Sequence, residues 1–278
     1  MRILFAGGKG LIGKNIVPFF LRFYECSVFD IEDWDILDEK KGKEIIKDLK
    51  PDIVVNLAAY TDVDGCEENT ELAEMVNVYG AEIVARLCAE NGIRLVHFST
   101  DYVFDGKKNL PYIEEDVAVP LSVYGRTKLE GEKRVLAIHP NPLIIRTQWI
   151  YGHGGKNFVT KILEVSKTEK ELYVVNDQFG SPTYAKDLAE PLKLLIDLKR
   201  NGIYHLSNSG ICTWYELACE VFRIKQVSTK VIPVSSNEIK RKAKRPAFSA
   251  LSTQKLKGET GYTLRHWKEA LKEYLAEI

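Results

Sequence analysis

Through the first half of the chain, short apolar runs alternate with stretches of helical spacing. Ile3-Leu4-Phe5-Ala6 predicts a buried strand, and Leu11 to Phe23 a helix behind it. Cys26 to Phe29 predicts a second strand closed by Asp30, and Ile45, Ile46 and Leu49 share a helical face ahead of Pro51. Asp52-Ile53-Val54-Val55-Asn56 predicts the third strand, and Leu72 to Ala89 one helix. Arg94-Leu95-Val96-His97-Phe98, the helical Leu121 to Leu136, and Leu143-Ile144-Ile145-Arg146 complete the series. Strands that are apolar throughout and separated by helices imply a parallel sheet covered on both faces, an α/β doubly wound architecture.

Beyond Trp149 the alternation loosens. Asn157 to Ser166, Tyr184 to Leu198, Trp214 to Phe222 and His266 to Leu275 have helical spacing. Leu172 to Val175, Gly202 to Leu206 and Val231 to Val234 read as strands. The division expected is residues 1–148 as the sheet domain and 149–278 as a smaller C-terminal region that mainly holds the substrate. Segments around 183–208 are expected to pack back on the main sheet.

Composition narrows the function classes. Lys and Arg balance Asp and Glu at 39 each, so no broad pull on nucleic acid or an anionic membrane is implied. The five cysteines are scattered, without a Cys-x-x-Cys pair or a histidine at ligand spacing, which points to reduced thiols and to no metal site. The chain opens directly on a strand, without a charged leader or a membrane-length apolar run, and a cytoplasmic location is expected.

Gly7, Gly10 and Gly13 follow the first strand and open the first helix. Gly7 suits a tight turn, Gly10 lets the backbone approach a pyrophosphate, and Gly13 lets helix and strand pack closely. The helix N-terminus then binds the anion. This is the phosphate-binding turn of a Rossmann fold. Asp30 ends the second strand, where a carboxylate accepts bonds from an adenosine ribose. Ile31, Glu32 and Asp33 follow without a cation for a 2′-phosphate, which favours NADH over NADPH, with Lys9 the one residue able to offset that bias.

Tyr124 and Lys128 lie one helical turn apart. An ammonium beside the phenol is expected to lower the tyrosine pKa toward the working range and to hold a nicotinamide ribose. Thr100, in Phe98-Ser99-Thr100-Asp101 at the carboxyl end of the fourth strand, is placed to bond a substrate carbonyl beside Tyr124. The catalytic set is therefore Tyr124, Lys128 and Thr100.

These motifs, with four longer ones, resemble the extended short-chain dehydrogenases and, within them, the dTDP-4-dehydrorhamnose reductase family. The longer motifs are Asn56 to Asp64, Ser99-Thr100-Asp101-Tyr102-Val103-Phe104-Asp105-Gly106, Arg146-Thr147-Gln148-Trp149-Ile150-Tyr151-Gly152, and Asp177 to Thr183. Gly202 to Leu206 and Arg245-Pro246 with Ser249 and Leu251 extend the match over nearly the whole chain. The resemblance implies NAD(P)H-dependent reduction of the C4 ketone of dTDP-4-dehydro-L-rhamnose. It places Gly10, Leu11 and Ile12 at the cofactor pyrophosphate, Asp30 at the adenosine ribose, and Asp35 and Ile36 beside adenine. It places Ala59, Tyr60 and Thr61 along the nicotinamide half, and Thr100, Asp101 and Trp149 around the sugar. The basic run Arg241, Lys242, Lys244 and Arg245 suits either a substrate pyrophosphate, with Arg245 foremost, or a solvated surface.

Two features depart from the family pattern. Gly8-Lys9 stands between the first two glycines, and Asn15 stands where some family members carry a carboxylate for a metal-bridged dimer. A monomer or a homodimer without that metal is expected. The rival enzyme reading is a nucleotide-sugar epimerase or dehydratase. A dehydratase needs a second carboxylate after the threonine, and Tyr102 follows Asp101 here. The rival of another class is a non-catalytic subunit resembling the regulatory subunit of methionine adenosyltransferase.

Overall fold

The computed structural model describes residues 1–278. Five strands of the first half, β1 (Arg2–Ala6), β2 (Glu25–Phe29), β3 (Ile53–Asn56), β4 (Arg94–Thr100) and β5 (Leu143–Thr147), join Gly202–His205 in one sheet. The order is Gly202–His205, β5, β4, β3, β1, β2, and every pairing is parallel.

Alternation along each strand builds two cores. Ile3 and Phe5, Ile53 and Val55, Val96 and Phe98, and Leu143 and Ile145 pack on one side against Ile16, Phe20, Leu192 and Leu195. Leu4, Val54, Leu95 and Ile144 pack on the other against Ile45, Ile46, Val84 and Leu87. Both faces of the inner strands are apolar because both are covered, whereas the edge strand β2, with Glu25 and Ser27, has no fully buried residue.

The sheet order reverses between β1 and β3, which opens a crevice beyond their carboxyl ends. The first glycine sits there. Gly7 has φ +71, and a Cβ on it would lie 2.5 Å from the Ala58 backbone nitrogen. Only glycine satisfies both the left-handed conformation and the close pass of the chain leaving β3.

A third core joins the helices Phe158–Val165, Trp214–Lys225 and Trp267–Glu277 through Val159, Ile162, Leu217, Val221 and Leu271. The strand pair Glu171–Val175 and Lys230–Val234 lies against it. Between these elements, helix Ala189–Asp197 and strand Gly202–His205 return to the main sheet.

The expected single helix from Leu72 to Ala89 is three pieces. Thr70–Glu74 and Ala81–Glu90 are α-helical, and Met75–Gly80 between them is π-helical. The cause lies at buried Asn77, whose amide accepts from Tyr60 N–H (2.8 Å) and donates to the Tyr60 carbonyl (3.1 Å) and to Thr127 Oγ1 (3.1 Å). The Asn77 carbonyl also presses on Gly131, where a Cβ would overlap it. Such bulges re-aim a side chain without ending the helix. The first helix is shorter than expected, Leu11–Phe20, and a turn carries the chain on to β2.

Candidate active site

A cleft of about 630 Å³ runs from the glycine turn across the carboxyl ends of β1, β3, β4 and β5. At one end the helix Leu11–Phe20 starts at Gly10 without a side-chain cap. Its first intrahelical bond is Lys14 N–H to the Gly10 carbonyl (3.0 Å), so the N–H groups of Leu11 and Ile12 are left for a ligand. Gly13 faces the turn rather than the cleft, and a Cβ there would overlap the Gly8 carbonyl. These features fit a pyrophosphate on a helix N-terminus.

Asp30 lines the same end and accepts from Lys9 N–H (3.0 Å) and Ile31 N–H (2.9 Å). The Lys9 ammonium turns away to Asp33 (2.6 Å), so the cation nearest the ribose position already has a carboxylate partner. Asp35 and Ile36 also line the cleft, as do Ala59 and Thr61. Tyr60 does not. Its backbone is held by Asn77 and its ring belongs to the small cluster with Cys66 and Tyr124.

The other end is made of side chains. Ser99, Thr100 and Asp101 leave β4, and Tyr124 and Lys128 come from the helix Val123–Ile138. That helix is fixed at its start by Ser122 Oγ accepting from Gly125 N–H (3.2 Å) and Glu67 accepting from Val123 N–H (2.8 Å). The Thr100 hydroxyl donates to Asp101 Oδ1 (3.0 Å) and lies beside the Tyr124 phenol. Thr147, Gln148 and Trp149 follow β5. Ser99 Oγ, Asp101 Oδ2, Thr147 Oγ1 and Gln148 Nε2 are buried without a protein partner. Buried polar atoms are paired in most folds, so four orphans on one cleft floor mark a surface shaped for a polar ligand.

Electrostatics correct one expectation. Burial pushes the Tyr124 phenol well above its ordinary pKa, with the Thr100 hydroxyl opposing and Asp101 adding to the rise. Lys128 does not reverse that rise. Its ammonium donates to the Phe98 carbonyl (2.8 Å), and burial lowers its pKa to about 8 against the opposing effect of Glu132. The phenol is therefore a proton-bearing acid at neutral pH. Burial also raises the Asp101 carboxyl to about 7, against the opposing effect of the nearby Ser249 and Thr100 hydroxyls.

Trp149 adopts φ +46 and stacks on Trp214 with ring centres 3.6 Å apart and planes 8° from parallel. Gly180 lies against the indole, where a Cβ would overlap the ring. A non-glycine residue in the left-handed region persists only when its surroundings enforce it. Arg245 does not line the cleft. It makes two bonds to Asp64 (3.1 and 2.8 Å), and Asp64 also accepts from Ala243 N–H (2.9 Å). The clamp lowers the Asp64 pKa to about 2 and docks the 243–245 segment on the helix Val63–Glu68.

Asn15 is buried. Its Oδ1 accepts from His153 N–H (3.0 Å), and its Nδ2 donates to the Leu11 (2.7 Å) and His153 (2.9 Å) carbonyls. It ties the first helix to the loop after Tyr151. Asn77, Gln148, Lys156 and Trp214 are contributors that the sequence reading missed. Gln148 lies within the Arg146–Gly152 motif, but nothing local marks the other three.

The model of the RmlD substrate binding domain matches residues 1–278 without a break. The chain belongs to that family. Among its relatives in the family, the spore coat polysaccharide biosynthesis protein SpsK of Bacillus subtilis is 42% identical over 99% of this chain and 97% of its own. The dTDP-4-dehydrorhamnose reductase of Escherichia coli is 35% identical over 100% of this chain and 98% of its own. A dTDP-4-dehydrorhamnose reductase structure from Clostridium acetobutylicum superposes with TM-score 0.97 at 41% identity, covering 100% of this chain and 99% of its own. One from Bacillus anthracis, in complex with NADP, gives 0.97 at 34%, with the same coverage. A UDP-glucose 4-epimerase from Thermus thermophilus, 22% identical with TM-score 0.86, shares the fold alone.

Proposed function

We propose that this RmlD-family chain reduces the C4 ketone of dTDP-4-dehydro-L-rhamnose to dTDP-L-rhamnose with NADH or NADPH. The observation that carries the reading is the convergence of Thr100, Tyr124 and Lys128, over an unpartnered polar floor, in one cleft with the glycine turn. Relatives more than 30% identical over essentially the whole chain, named dTDP-4-dehydrorhamnose reductase, support the substrate.

The bound nicotinamide supplies a hydride. The residues do the rest. Free N–H groups of Leu11 and Ile12 hold the pyrophosphate, and Asp30 takes the adenosine ribose, which tilts the preference toward NADH. Asp35 and Ile36 flank the adenine, and Ala59 and Thr61 line the path to the reactive end. The Thr100 hydroxyl orients the sugar C4 oxygen. The Tyr124 phenol, protonated at neutral pH, gives that oxygen its proton as the carbon is reduced. The Lys128 ammonium holds the nicotinamide ribose and offsets the phenolate left behind. Trp149, braced by Trp214, is the flat wall for the sugar. Residues 1–148 serve the dinucleotide and 149–278 mainly the substrate. We place the enzyme in the cytoplasm, in keeping with five free cysteines and no helix long and apolar enough to cross a membrane.

Asp101 is the sole carboxylate at the reactive end of the cleft, and Asp30 and Asp35 lie at the nucleotide end. That distribution disfavours dehydration, which needs a further base. The test is reduced-cofactor oxidation with dTDP-4-dehydro-L-rhamnose. Catalytic, stoichiometric consumption of NADH or NADPH is expected. Sugar turnover without net oxidation would overturn the reading in favour of an epimerase.

A further inference from the structure

Glu132 and Arg146 form an ion pair at the centre of the molecule, both at 3% exposure or less. Arg146 Nε and Nη2 donate to the two Glu132 oxygens at 2.9 and 2.7 Å. The third guanidinium nitrogen has no partner, and the group lies over the Phe104 ring at 5.2 Å. As a stabilising device such a pair is weak, because desolvating two charges roughly cancels their attraction. Its location gives it another use. Tyr124, Lys128 and Glu132 recur every fourth residue and share one helix face. Arg146 rises from β5 in register with Ser99 of β4, directly under that helix.

We propose that the Glu132–Arg146 pair is a positioning device that keeps the Lys128 ammonium charged and turned toward the cleft. The proposal rests on the role given to Lys128 above. Lys128 is buried, and its one protein acceptor is the neutral Phe98 carbonyl. An ammonium so placed sheds its proton unless a negative charge stands nearby. Glu132 is that charge. Left free, it would draw Lys128 along the helix into a direct ion pair and away from the substrate. Arg146 occupies both carboxylate oxygens and prevents this. The other ionisable groups around Lys128 do not replace Glu132. His97 on β4 is held neutral by burial and by Lys128 itself, and Arg146 from β5 is a like charge. Tyr124 on its own helix is protonated, and Asp101 beyond β4 accepts from Thr100 and has its pKa raised by burial.

The experiment follows Lys128 itself, by NMR titration of ¹³Cε-labelled lysine in the ligand-free protein, assigned with Lys128→Met. The pH profile of kcat is recorded beside it. Glu132→Gln keeps the shape and one acceptor for Arg146. It is expected to lower the Lys128 midpoint by about one pH unit or more. The high-pH limb of kcat should move down with it. Glu132→Met combined with Arg146→Leu replaces the pair by apolar volume and guards against misfolding of the single variant. It is expected to titrate Lys128 lower by less than Glu132→Gln does, because the like charge of Arg146 leaves together with Glu132. Folded variants with the wild-type Lys128 midpoint and the wild-type limb would overturn the proposal and leave the pair structural. If the midpoint shifts while the wild-type chain shows no reductase turnover, the coupling stands and the functional reading fails.

Discussion

At the nucleotide end of the cleft the ligand-facing groups are mainly backbone, namely a left-handed glycine and the opening N–H groups of one helix, with Asp30 beside them. At the reactive end they are side chains from three separate places, the exits of β4 and β5 and the helix Val123–Ile138. The first end is complete within about 30 consecutive residues. The second exists only after the sheet has formed, and it carries orphaned polar atoms, a strained tryptophan and ionisable groups moved far from their ordinary range. A phosphate needs only dipoles in a fixed place. A proton transfer needs acids whose surroundings set their strength. The two ends therefore fail differently under mutation.

The largest effect is expected from Tyr124→Phe. Removing the buried acid should lower kcat by about 10²–10⁴-fold. Affinity for NADH, read by fluorescence titration, should stay near the wild-type value. A variant that loses both together would erase the distinction between the ends.

Gly13→Ala attacks the other end. The new methyl overlaps the Gly8 carbonyl, and the strain should reduce stability by about 1–3 kcal/mol in denaturant unfolding. It should weaken NADH binding while leaving the Lys128 titration unchanged. Unaltered cofactor affinity in the folded variant would show that the turn does not hold the pyrophosphate.

Asp101→Asn sharpens the comparison through pH. The folded carboxyl has its pKa raised to about 7, so the folded state binds the extra proton between the unfolded value, near 4, and about 7. Below pH 4 the carboxyl is protonated in both states and carries no ionisation penalty. As pH rises from about 4 to about 7 the unfolded chain ionises first and the folded state loses stability, and above 7 the full penalty of the buried carboxylate remains. The variant should therefore raise Tm by a few degrees at pH 8 and by none at pH 4, measured by calorimetry. Equal shifts at both pH values would contradict the buried-acid assignment.

How much was legible in the sequence follows the same division. The sheet was readable because parallel strands covered on both sides are continuous apolar runs, as in Ile53-Val54-Val55 and Leu143-Ile144-Ile145. The nucleotide end was readable because Gly7 and Gly13 are the residues its backbone demands. The π-helical insertion at Met75–Gly80 was not readable, because its cause is Asn77 reaching Tyr60 and Thr127, 17 and 50 residues away. The two-residue strands Ile150–Tyr151 and Thr183–Tyr184 are too short to show a period. Tyr124 and Lys128 were found by spacing, but the sign of the phenol shift was not. Spacing puts the ammonium nearby and says nothing of how deeply both are buried. Arg245 was read as a substrate contact from its basic neighbours, and its partner Asp64 is 181 residues away.

The most direct test of the central claim follows the hydride itself. Incubation with dTDP-4-dehydro-L-rhamnose and NADH carrying deuterium on its transferable C4 position should give dTDP-L-rhamnose with deuterium at the sugar C4 alone, seen by proton NMR as loss of that one resonance. Product with protium at C4, or deuterium elsewhere on the ring, would contradict direct reduction of the ketone beside Tyr124.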